Sequence, residues 1–152
     1  MNIDKKTQIY IVSLAFAISS VIDYMTTVWF AGTKENLIRN EFSPLIVYAV
    51  EHDLLRVYVF VSVMFHYFGS FLVLMSLSED EKLLYPARTI IIMISMVHIL
   101  GGFSWYVNNY VYSSTIVYMS LIAILMTILL SGWLIISIYT RHYKKGDIHV
   151  KR

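Results

Sequence analysis

Between Arg88 and Arg141 the chain runs for 52 residues without an Asp, Glu, Lys or Arg. A bilayer core of ~30 Å takes about 20 helical residues, so this stretch is too long for one crossing and long enough for two. It has to reverse. The reversal belongs at WYVNNYVYSS, residues 105–114, where two asparagines and two serines interrupt the aliphatic pattern and Ser113 or Ser114 is placed to cap the next helix. Two further runs match a bilayer in length: Ile9 to Ala31, 23 residues broken only by Asp23, and Val57 to Leu77, 21 residues with no charge. Lipid offers backbone amides no partner, so each run is expected to close its own hydrogen bonds as a helix.

The sequence therefore predicts an all-α, single-domain transmembrane four-helix bundle over residues 1–152, with helices at about 8–31, 55–77, 88–107 and 114–140. A hydrophobic content of 58% against 14% charged residues points the same way. The first segment is too long for a signal peptide and lacks a small-residue cleavage site, so it is expected to be retained. With four crossings, Lys5, Lys6, Lys82, Arg88, Arg141, Lys144, Lys145, Lys151 and Arg152 fall on one side, and Lys34, Arg39 and Arg56 on the other. The positive-inside rule then puts both termini in the cytoplasm; the plasma membrane is the expected location. The basic tail RHYKKGDIHVKR is expected at the anionic inner leaflet.

Composition also removes function classes. Cysteine is absent, which excludes internal disulfides, thiolate metal sites and thiol nucleophiles. The net charge is only +2 and the basic residues flank apolar runs, so no nucleic-acid partner is expected. Most of the 12 tyrosines and 3 tryptophans, Tyr10, Tyr24, Trp29, Tyr58 and Trp105 among them, lie near helix ends and read as an interfacial belt.

The connection over residues 32–54 is the longest outside the membrane. Gly32 suits a helix C-terminus, and Ser43 followed by Pro44 is a helix-start signal. The new helix either lies at the interface and breaks near Asp53 or continues into the membrane as one rod; the residues leave both open.

Asp23 needs explanation. A charge at the centre of a spanning helix costs about 2.5–3.5 kcal/mol on insertion scales and normally faces the bundle interior with a partner. Ser19, Ser20, Asp23, Thr26 and Thr27 recur at offsets of three and four and share one face. The second helix carries Tyr58, Ser62, His66 and Ser70 at intervals of four, and the third carries Ser95, His98 and Gly102. At 1.5 Å per residue, Asp23, His66 and His98 all fall roughly 12–16 Å from the outer helix ends. Close packing would bring them together, with Glu41 and Asn108 or Asn109 above.

Asp23, His66 and His98 are thus candidate ligands for a divalent metal ion, the two histidines for a haem, and an Asp/His pair for proton relay or acid–base chemistry. No motif of the H-E-x-x-H kind is present. The plainer reading of the Ser and Thr stripe is helix packing, and of a lone intramembrane histidine an interhelical hydrogen bond. Glu41, in a loop, reads equally as a solvated charge or a capping partner for the Pro44 helix. Gly101 and Gly102 read as a place for close helix approach.

D-Y-M-T-T at residues 23–27, then Gly32, then E-F-S-P-L at residues 41–45, resembles the D-x-x-T-T … G … E-x-N-P-L pattern of an uncharacterised family of small prokaryotic multi-pass membrane proteins. Ser43 stands where that family usually has Asn. The resemblance covers residues 20–47 and implies that Asp23, Thr26, Thr27, Glu41 and Pro44 form one unit, with Glu41 folded back over the outer end of the first helix. It supplies no reaction.

Three functions remain: an enzyme or ion-binding protein built around Asp23, His66 and His98; an accessory or assembly subunit whose polar stripes bind other membrane subunits; and a transporter subunit that self-associates and uses Asp23 as its coupling carboxylate. In each the bilayer is the surrounding partner.

Overall fold

The computed structural model describes the backbone of residues 4–41 and 43–150 and the side chains of 4–41 and 43–136. The side chains of the basic tail lie outside the described residues. The described chain is all helical: α1 (Lys5–Ala31), α2 (Lys34–Asn40), α3 (Pro44–Glu51), α4 (Leu55–Ser76), α5 (Glu81–Val107) and α6 (Tyr110–Val150), with no strand among the described residues. Four of them, α1, α4, α5 and α6 as far as Ile136, are long and apolar enough to cross a membrane. The chain is a four-helix bundle of the kind that embeds in lipid.

Local chemistry sets the helix ends. Asp4 caps α1 by accepting from the Thr7 amide at 3.0 Å. Gly32, at φ 71°, closes α1 in a backbone conformation that a side chain would strain. Thr33 then accepts from the Asn36 amide at 3.1 Å and starts α2, a helix the sequence reading did not anticipate.

Pro44 opens α3, which ends at Glu51; Asp53, at φ 56°, turns the chain into α4. This decides between the two readings of residues 44–54 in favour of a short separate helix. Ser43 makes no side-chain cap. Its own backbone N–H donates to Glu41 Oε1 at 3.0 Å, so the loop carboxylate holds the residue from which the helix starts.

Several boundaries differ from expectation: α1 begins at Lys5, not near 8, and α6 runs on to Val150, past 140. The third spanning helix begins at Glu81, not near 88, capped by Asp80, which accepts from the Lys82 amide at 3.1 Å. Charges and Pro86 disguised this start, but Leu83, Leu84 and Ala87 are buried there against Ile9, Leu74 and Leu77. The last helix begins at Tyr110, not 114, because the reversal occupies two residues only. Asn108 takes the left-handed conformation (φ 43°, ψ 46°), and Asn109 Oδ1 accepts from the Tyr112 amide at 3.1 Å, so Asn109 takes the capping role expected of the serines.

Helix α1 is central, packed on α4 on one side and on α5 on the other; among the described residues the α6 backbone comes close to α5 only, with Leu130 and Leu134 reaching the shared apolar core. The spatial order is α4, α1, α5, α6. Near the termini, Lys5 pairs with Glu81 at 3.0 Å and Arg88 Nη1 donates to Gln8 Oε1 at 2.6 Å, joining the starts of α1 and α5. At the opposite end α2 and α3 sit over the bundle on a small apolar cluster of Ala31, Leu37 and Val50, with Trp105 against it.

Candidate functional site: an Asp–His pair beneath a polar cleft

The polar face of α1 meets two neighbours at once, and its residues divide between them. Toward α4, Ser20 Oγ lies 2.6 Å from His66 Nδ1, and the Tyr24 hydroxyl lies 3.3 Å from Ser62 Oγ and 3.4 Å from the Tyr58 hydroxyl. Toward α5, Asp23 Oδ2 and His98 Nδ1 are 2.7 Å apart. The two systems touch, since the His66 and His98 ring centroids are 5.2 Å apart and Phe16 packs against both rings. Asp23 therefore has the interhelical partner that its depth demands, and His98 supplies it.

Glycine makes this approach possible. A Cβ built on Gly102 would run into Thr26 Oγ1 and come within 2.9 Å of the Asp23 backbone; one on Gly101 would stand 3.7 Å from Asp23 Oδ1. Thr26 fills the contact and turns its hydroxyl onto the Ile22 and Asp23 carbonyls at 2.6 and 3.0 Å, as a spanning threonine commonly does. Its role is packing. Ser19 likewise bonds the Phe16 carbonyl at 2.7 Å, and Ser70 the His66 carbonyl at 2.6 Å.

Above Asp23 a cleft of about 960 Å³ opens between α1, α5 and α6, beneath α2 and α3. Asp23, Tyr24 and Thr27 line it from α1, and Ser104, Trp105 and Asn108 from α5. Ser113 and Ser120 face it from α6, and Asn36, Asn40 and Glu41 from the α2 region. Of the residues singled out in the sequence, Asp23, Thr27, Glu41 and Asn108 line this cleft, while His98 and His66 stand behind it.

The metal and haem readings meet a geometric obstacle. Among the described residues no three His, Asp or Glu side chains are grouped to hold one ion. Asp23 Oδ2 and His98 Nδ1 are engaged with each other, and His66 Nδ1 with Ser20. A haem held by both histidines needs them on opposite faces of the macrocycle, whereas these rings already stand in contact. The arrangement suits hydrogen-bonded proton exchange through Asp23 and His98 better than either.

Sequence reasoning missed Tyr24 and the serine face of α6, and placed Tyr58 both in the polar stripe of its helix and in the belt. Tyr24, read as part of a belt, is buried to 7% exposure and pairs inside the bundle with Tyr58 of the second helix's polar stripe. The offset of four between Ser20 and Tyr24, matched by Tyr58, Ser62 and His66, was the available signal. The second is the serine face of α6, Ser113 and Ser120, which is diluted by the aliphatic residues between. No protein-family model, curated protein or solved structure matches the chain.

Proposed function

We propose that this chain is a small multi-pass membrane protein that binds a polar ligand in an outward-opening cleft, with Asp23 as the group that meets the ligand. His98 holds Asp23 from behind and exchanges a proton with it. One observation carries the reading: the Asp23–His98 contact of 2.7 Å at the floor of a cleft lined by hydroxyls, amides and a second carboxylate, Glu41. Ligand sites typically occupy about 300–1,000 Å³ and place a few convergent polar groups in an otherwise apolar setting. In support of treating the D-x-x-T-T and E-x-S-P-L residues as a unit, Asp23, Thr27 and Glu41 share the lining. The uneven distribution of Lys and Arg supports an orientation with the termini inside and the cleft outside.

The absence of cysteine makes a direct test simple. Single substitutions Ser104→Cys, Ser113→Cys and Ser120→Cys in intact cells should react with a membrane-impermeant thiol reagent added outside. Ile128→Cys, on an exposed apolar face of α6, should not. Unreactive cleft positions would remove the binding reading, and reaction only from the cytoplasmic side would reverse the orientation.

A second reading, an accessory subunit, is favoured by one feature. The apolar span of α6 is 6% buried within the molecule, against 39% for α1. Copurification of another membrane protein from native membranes, held through α6, would support it.

A further inference from the structure

The cleft's own hydrogen-bonding inventory indicates what it accepts. Its lining holds two carboxylates, Asp23 and Glu41, and no Lys, Arg or His among the described residues. Carboxylates, when ionised, only accept. Several hydroxyls have their hydrogens committed elsewhere: Ser104 donates to the Gly101 carbonyl at 2.6 Å, Ser120 to the Ile116 carbonyl at 2.9 Å, and Tyr24 toward Ser62 and Tyr58. The amide nitrogen of Asn40 serves Asn36 at 2.7 Å. These groups have oxygen lone pairs left to offer.

Asp23 fits this pattern atom by atom. Oδ2 is taken by His98, while Oδ1 lies beside Gly101, a cleft residue whose missing side chain leaves that oxygen approachable. The walls add Tyr24, Phe30, Trp105 and Tyr110, and aromatic faces attract cations. The lining also holds donors on Trp105, Asn108 and Asn109, but its only formal charges are the two carboxylates, and an acidic, aromatic-walled cleft calls for a ligand that brings positive charge.

We propose that the cleft binds an organic ammonium group, with Asp23 Oδ1 as its principal counter-ion. This rests on the cleft being a binding site and names the ligand class. The group has two possible sources. The mouth beneath α2 and α3 admits a water-borne amine, and among the described residues the α1 and α6 backbones flank the cleft without a close approach, which offers a lateral way in for a long-chain amine lying in the bilayer.

The test uses the full-length protein in lipid nanodiscs. Trp29 and Trp133, both on exposed surfaces, are replaced by phenylalanine so that Trp105 reports alone. Phenethylamine is titrated against its near-isostere 2-phenylethanol, and dodecylamine against dodecanol. The amine of at least one pair should bind saturably and at least tenfold more tightly than its alcohol. Saturation by phenethylamine identifies a water-borne source, and saturation by dodecylamine alone identifies lateral access. Either supports the proposal.

Asp23→Asn keeps the shape and an acceptor for His98, and should weaken amine binding tenfold or more while leaving alcohol binding unchanged. Glu41→Gln, at the mouth, should weaken it less. Equal binding of amine and alcohol in the unsubstituted chain, which needs no variant to fold, overturns the ammonium assignment. Thiol labelling of the cleft would still stand in that case, so failure of the ligand class and failure of the cleft are separable.

Discussion

At Gly102 the backbones of α1 and α5 come as near as side chains allow, and the Asp23–His98 contact depends on that nearness. Gly102→Ala inserts a methyl group against Thr26 Oγ1 and the Asp23 backbone. Overpacking of this kind costs typically about 1–3 kcal/mol, so the variant should unfold at lower temperature in detergent. Thr26→Ala placed on top of it should restore only part of the loss, because the Asp23 backbone contact at 2.9 Å remains. Full restoration would show that Thr26 alone sets the spacing. A carboxylate within a spanning run was conspicuous in the sequence, as were His66 and His98. Which imidazole it would meet was not legible, because that turns on the rotation of α1 between α4 and α5. The rotation sends Ser20 and Tyr24 to α4 and Asp23 and Thr26 to α5.

Element ends are set by a few side chains, and here the sequence spoke with uneven clarity. Gly32 and Pro44 announced their helix boundaries because each has a backbone preference no other residue shares. Asn109 was less visible, since serines competed for the capping role. Asn109→Ala should cost about 1 kcal/mol, read as a lower unfolding temperature, and Asn108→Val should also destabilise because a β-branched side chain resists positive φ. Asn108→Gly should be tolerated.

At the start of α4, the hydrogen bond and charge of Lys34, 2.8 Å away, hold the Asp53 carboxyl below its ordinary value. A lowered folded-state pKa stabilises the ionised form, so this contribution is present above about pH 4 and is lost as pH falls through the lowered value. Amide protection factors in α2 and α3, taken relative to the intrinsic exchange rate at each pH, should therefore fall under acid, and Asp53→Asn should already show the lower protection at neutral pH. Both groups are solvent-exposed, so the effect belongs to this local connection and not to the bundle.

On the scale of the whole molecule, α6 stands apart. Among the described residues its backbone comes close to α5 alone, the Tyr112 hydroxyl donates to the Leu100 carbonyl at 3.1 Å, and the exposed Ile124, Leu125, Ile128 and Leu129 cover much of its surface. In lipid such a surface carries no hydrophobic penalty, because acyl chains are as apolar as leucine. The same openness separates α6 from α1 and creates the cleft. If a second copy or another subunit covers α6, native mass spectrometry from mild detergent should show that assembly, and Ile128→Trp should reduce it. A monomer under those conditions would leave α6 to the lipid.

Composition and spacing were sufficient for the number of crossings, the all-helical class and the polar faces, because a bilayer fixes helix length and a buried amide must be satisfied within its own segment. The order α4, α1, α5, α6 was decided only in three dimensions, and with it the pairing of Asp23 with His98 and the gathering of α2, α5 and α6 residues around one cleft. In lipid every apolar face is equally content to be turned outward, so hydrophobic pattern alone cannot choose which helices touch. Small residues such as Gly102 and interhelical hydrogen bonds make that choice.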